Sequence, residues 1–143
     1  MVFTGEAAVQ SDDKGRLLIP ARWRGMLADG AFLTPGWNQC IFVFPLAQWQ
    51  EYSNRLGAIQ LTNIEGVAIQ RLFGLGSEVR LDGQGRLSLP AKLKERAGIN
   101  RDVLLCGAIN RLELWNPQTR RLYENEELSD QSAIEKARSL QIF

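Results

Sequence analysis

The chain has 143 residues, 45% of them hydrophobic and 23% charged, with a formal net charge of +1. That is enough apolar material for a core, and too balanced a charge to mark a partner by composition alone. Histidine is absent, which excludes Ser/His and Cys/His nucleophile arrangements and the commonest metal ligand, so neither an enzyme nor a bound metal or cofactor is expected.

No apolar run approaches the roughly 18 residues needed to cross a bilayer, and the opening MVFTGEAAVQ lacks the basic and apolar regions of a signal peptide. A cytoplasmic protein without a membrane partner is expected. Along the chain, a short strand is predicted around Val9, then a D-x-x-G-R turn from Asp12 to Arg16, then an alternating strand over Leu17, Leu18 and Ile19. Pro20 has a fixed φ and no N–H, so it stops that strand and suits the start of a short helix, Ala21 to Leu27. Cys40 to Phe44 has the β-branched and aromatic character of a strand. A helix is predicted from Leu46 to Leu56 and a linking helix from Asn63 to Leu75. In the latter Ile64, Val67, Ala68, Leu72 and Leu75 recur at three- and four-residue spacing, so that face should be buried against the sheets or a neighbouring subunit.

The pattern then starts again. A strand around Val79 leads to the turn Asp82 to Arg86, the segment Leu87-Ser88-Leu89, Pro90 and a helix from Ala91 to Arg96. Strands Val103 to Cys106 and Leu112 to Trp115, a helix from Pro117 to Leu128 and a polar helix or tail after Asp130 complete the chain. Cys40 and Cys106 lie in apolar stretches without C-x-x-C spacing and are expected as buried free thiols. Trp23, Trp37, Trp49 and Trp115 are candidates for core packing or subunit contact.

The recurrence is an internal duplication. A shift of 70 positions, carrying Gly15 onto Gly85, lays DDKGRLLIPARWR from Asp12 on DGQGRLSLPAKLK from Asp82 without a gap. CIFVFPLAQW from Cys40 and NRLELWNPQT from Asn110 match more weakly. The expected organisation is a first half over 5–47, a helical connector over 48–76, a second half over 77–120 and a C-terminal helix or tail over 121–143.

In each D-x-x-G-R turn the aspartate can accept from nearby backbone N–H groups and the glycine supplies positive φ. The arginine directly after it, Arg16 or Arg86, presents a planar fork of donors that suits guanine O6/N7 or a phosphate. Asp12 and Asp82 lie four residues upstream and are expected to brace those arginines. Arg16 and Arg86, with Lys14 flanking the first, are therefore candidates for base or phosphate contact; Arg22, Arg24, Lys92 and Lys94 are candidates for phosphate contact. Read as a phosphate loop, Gly83-Gln84-Gly85-Arg86 lacks the strand–loop–helix setting and the lysine–serine pair that such loops need.

D-x-K-G-R-L-x-x-P near the start, D-x-x-G-R-L in the second half, and the helix Gln70-Arg71-Leu72-Phe73-Gly74-Leu75-Gly76 between them resemble the MraZ family over nearly the whole chain. The resemblance implies that Lys14, Gly15 and Arg16, with Gln84, Gly85 and Arg86, are the DNA-binding residues, although Gln84 departs from the pattern, standing where the first motif has Lys14. The resemblance implies an α+β fold: a β-rich AbrB/SpoVT-like swapped-hairpin (double-ψ-like) barrel of two tandem pseudo-repeats with flanking helices. It also implies a homo-oligomeric ring, nucleoid-associated, that binds short direct repeats of double-stranded promoter DNA. The expected job is regulation, as a repressor, of its own operon in the division and cell-wall gene cluster. The alternatives are an AbrB-type antitoxin, which usually has one copy of the half and a disordered tail, and a scaffold ring that binds protein and not DNA.

Overall fold

The computed structural model describes residues 2–127 and 129–142. In the first half β1 (Glu6–Gln10) and β2 (Arg16–Leu18) precede α1 (Ala21–Arg24), which runs into a 3-10 turn at Gly25–Leu27. There follow β3 (Ala31–Pro35), β4 (Ile41–Pro45), α2 (Leu46–Gly57) and α3 (Ile64–Phe73). The second half has β5 (Ser77–Val79), β6 (Arg86–Ser88), α4 (Ala91–Arg96), β7 (Asp102–Gly107), β8 (Leu112–Trp115), α5 (Pro117–Glu124) and α6 (Asp130–Ser139). The expected end of α5, Leu128, lies outside the described residues.

Helix starts follow local chemistry. Pro20 and Pro90 each stand one residue before a helix with extended ψ. Asn63 accepts the Gly66 N–H, and Asn116 accepts the Gln118 and Thr119 N–H groups ahead of Pro117, satisfying donors that a first turn leaves open.

The strands form a mixed α+β fold with antiparallel pairing throughout: a six-stranded sheet, β1-β7-β8-β4-β3-β5, and a separate two-stranded ribbon, β2-β6. The order is its own mirror under the duplication. Each half gives its first strand to the other, β1 pairing β7 and β5 pairing β3, while β4 and β8 meet at the centre through Ile41↔Leu114 and Val43↔Leu112. The sheet is open, with β1 and β5 as its edges, where a barrel was expected.

β3 was not predicted: AFLTP is five residues flanked by Gly30 and Gly36 and ends in proline, which reads as a loop. Pairing on both sides, with β4 and β5, makes it a strand.

Alternation along the sheet creates two cores. Leu33, Ile41, Val43, Val103, Leu105, Leu112 and Leu114 face the ribbon and the short helices, burying Leu17, Ile19, Trp23, Leu27, Leu87, Leu89 and Leu93 with them. Phe42, Phe44, Cys40, Cys106 and Trp115 face the other way, against Trp49, Tyr52, Phe73 and Tyr123 of the longer helices. Both cysteines are buried free thiols.

Within the chain the linking helix buries only part of the face its periodicity indicated: Val67 and Leu72 are half-buried, and the closest packing lies beside them. Gly66 packs on Ile59, Gln70 Nε2 donates to the Leu56 carbonyl at 2.7 Å, and Phe73 joins the aromatic core. Ile64, Ala68 and Leu75 of the apolar stripe remain exposed, Ile64 by 84%. The inner face is fixed by a close backbone approach at glycine and by an amide–carbonyl bond, neither of which registers in an apolar period.

Candidate nucleic-acid interface

Each D-x-x-G-R segment closes on itself. The Gly15 N–H donates to the Asp12 carbonyl and the Asp12 N–H to the Arg16 carbonyl, both at 3.0 Å, and Gly15 has φ +73°. The second turn repeats the two bonds at 3.0 Å, with Gly85 at φ +79°. That left-handed residue is what the glycine at the fourth position of each turn provides, because an L side chain is strained there.

The aspartate organises the rest. Asp12 Oδ1 accepts the Lys14 and Arg16 N–H groups at 2.9 Å, and Oδ2 accepts Arg16 Nε at 2.7 Å. Asp82 receives Gln84 N–H at 2.9 Å, Arg86 N–H at 3.0 Å and Arg86 Nε at 2.7 Å. These bonds favour the ionised carboxyl. The Arg86 N–H first, then its guanidinium and the Gln84 N–H, outweigh desolvation and hold Asp82 down to about 2; Asp12 is lowered by the same set from Arg16 and Lys14. Nε is thus committed in both arginines, while their Nη groups have no hydrogen-bond partner among the described residues.

The strands that leave the turns do not pair with the strands that enter them. β2 pairs with β6 through Arg16↔Ser88, Leu17↔Leu87 and Leu18↔Arg86. Beyond the ladder, the Ile19 N–H donates to the Gly85 carbonyl and the Leu89 N–H to the Gly15 carbonyl, both at 3.0 Å. The two turns therefore stand at opposite ends of one ribbon. Leu17 and Leu87 point into the core, and the period of two puts Arg16, Leu18, Arg86 and Ser88 together on the outward face, with the arginines diagonal to each other.

Lys14 and Gln84 are exposed at the turn tips. Arg22 and Arg24 are engaged within the chain. The Arg22 guanidinium lies 4.1 Å from the Trp23 ring centroid and its Nη2 donates to the Glu6 carbonyl at 3.1 Å. Arg24 Nε donates to the Ile19 carbonyl at 2.6 Å, with its guanidinium packed against Gly85. Lys92 is exposed and Lys94 half-buried. Leu18 and Ser88 were not singled out from the sequence, although their i, i+2 relation to Arg16 and Arg86 in alternating strands carried the signal. Of the tryptophans, Trp23 and Trp115 are buried and Trp49 stacks on Phe32 with centroids 3.9 Å apart, whereas Trp37 is 53% exposed.

A family model described as "MraZ protein, putative antitoxin-like" matches the chain twice, over residues 2–72 and 72–142. This chain belongs to the MraZ family. The first match takes in β1 to β4 with α1 and α2, the second β5 to β8 with α4 to α6, so the MraZ repeat coincides with the structural pseudo-symmetry. Among its relatives, a "Transcriptional regulator MraZ" from Saccharopolyspora erythraea is 39% identical over 90% of this chain and 91% of its own length. One from Natranaerobius thermophilus is 36% identical over 94% and 92%, and one from Deinococcus radiodurans 42% identical over 80% and 81%. No helix among the described residues is long and apolar enough to cross a membrane.

Proposed function

We propose that the chain is a sequence-specific, DNA-binding transcriptional regulator that inserts the outward face of the β2–β6 ribbon into the major groove, which is wide enough for a two-stranded ribbon. The observation that carries this reading is the diagonal pair Arg16 and Arg86, each braced at Nε by a carboxylate, with no hydrogen-bond partner on its Nη groups among the described residues. A guanidinium held in this way loses little entropy on meeting guanine O6/N7. Lys14, Gln84 and the backbone of Gly15 and Gly85 lie at the same turns and contact the DNA beside the arginines. Lys92 and Lys94 supply phosphate contacts; Arg22 and Arg24 serve first to hold the interface together.

One ribbon contributes about 1–3 kcal/mol of discrimination per bidentate base contact, so tight binding needs several ribbons acting together. A homo-oligomeric ring supplies them, each ribbon meeting one of a set of short direct repeats in the promoter of its own operon, a division and cell-wall gene cluster, as a repressor in the cytoplasm and nucleoid. The exposed apolar residues Ile64 and Ala68 on α3, with Leu75 just beyond its end, support such an assembly, since apolar surface of this kind favours a neighbour. The exchange of β1 and β5 between the halves supports the kinship with swapped-hairpin proteins.

The test is fluorescence anisotropy with the DNA upstream of the gene that encodes the chain, comparing wild type and Arg16→Ala at two salt concentrations. Tight binding that weakens steeply with salt and is lost in the variant is expected. A well-folded oligomer that ignores this DNA would overturn the reading in favour of a protein scaffold.

A further inference from the structure

The ribbon's outward face departs from the duplication at one strand position. Leu18, opposite Arg86, corresponds to Ser88, opposite Arg16. Leu18 is 51% exposed, whereas Leu17, Ile19, Leu87 and Leu89 beside it are buried. Leu18 lies outside both cores, half of its surface exposed between two guanidinium-bearing positions, and that apolar surface is available to whatever the arginines engage. Charge complementarity from Arg16, Arg86 and Lys14 commits that occupant to a polyanion, and on the major-groove edges of DNA the one apolar group is the thymine 5-methyl.

We infer that Leu18 packs on a thymine methyl beside the base met by Arg86, and that Ser88 makes no equivalent contact, so the ribbon lies in the groove with a single polarity. The inference rests on the DNA-binding reading above. A two-fold-symmetric ribbon would accept its site equally well in both directions. Leu18 against Ser88, together with Lys14 against Gln84 at the turn tips, removes that degeneracy, and sites for successive subunits must then share one orientation.

The experiment amplifies the upstream DNA once with thymidine and once with deoxyuridine triphosphate, which deletes the methyl groups and leaves the hydrogen-bonding edges unchanged. Both duplexes are titrated with wild type and Leu18→Ser. Wild type is expected to bind the uracil duplex at least about fourfold more weakly, the equivalent of about 0.8 kcal/mol for one methyl at 1.4 kcal/mol per factor of ten. Leu18→Ser should lose that factor on thymine DNA and bind the two duplexes alike. The serine is already accommodated at position 88, and a thermal melt checks the fold. Equal wild-type affinity for the two duplexes, or undiminished methyl sensitivity in Leu18→Ser, would overturn the inference and leave DNA binding intact. Failure of wild type to bind either duplex would overturn both.

Discussion

Arg24 of the first half lies against Gly85 of the second-half turn, its guanidinium filling the space that a Cβ on Gly85 would need. Its Nε holds the Ile19 carbonyl, and the Ile19 N–H in turn donates to the Gly85 carbonyl. The end of the ribbon is thus locked by one arginine that touches both repeats. Among the described residues, Gly15, the symmetric glycine, has only the Leu89 carbonyl nearby, at 4.0 Å from a Cβ position.

That asymmetry ranks two otherwise equivalent substitutions. Gly15→Ala carries the left-handed backbone penalty, about 1–2 kcal/mol. Gly85→Ala carries the same penalty and must also displace Arg24, so its loss in urea unfolding should be larger. Adding Arg24→Ala should recover part of the difference, a coupling of at least about 0.5 kcal/mol between residues in contact. Equal losses for the two glycines would contradict the packing.

Acid should weaken the fold through the turn carboxylates. Asp82 is held at about 2 against an ordinary value of 3.8, and Asp12 is lowered too, so between those values the unfolded chain binds more protons than the folded one. Their contribution is complete above about pH 4 and disappears as pH falls through about 2. Urea midpoints measured from pH 5 to 2 should therefore fall less steeply in Asp12→Asn/Asp82→Asn than in wild type.

Arg86→Ala should weaken binding to upstream DNA by about 5- to 150-fold, the range of one bidentate base contact. Its melting temperature should barely move, because the Arg86–Asp82 pair is part-exposed and such pairs contribute little to stability. Parallel anisotropy and calorimetry separate the two effects, and a large stability loss would assign Arg86 to the fold.

Neither thiol should react readily in the native protein. Burial raises Cys40 well above the ordinary thiol range and pushes Cys106 up to about 11, leaving little thiolate at pH 8. Iodoacetamide at pH 8 should label both only after denaturation. Rapid labelling of the folded chain would show that the second core opens.

The features that sequence alone determined are those closed within a few residues. Asp12 to Arg16 and Asp82 to Arg86 bond to themselves, Pro20 and Pro90 stop their strands, and Asn63 and Asn116 cap their helices through neighbours two or three positions away. The turns, the arginines and their bracing aspartates were legible for that reason. Partner choice was not. Arg16 meets Ser88 across half of the chain and β1 meets β7 across more, and a strand's alternation states which side is apolar without naming the strand beside it. The same limit hid β3, a strand by virtue of two distant neighbours, and the inner face of α3, set by Gly66 and Gln70. Tertiary structure alone decided that both arginines share one outward face with Leu18 between them, because only the register of β2 on β6 brings residues 70 positions apart onto a common surface.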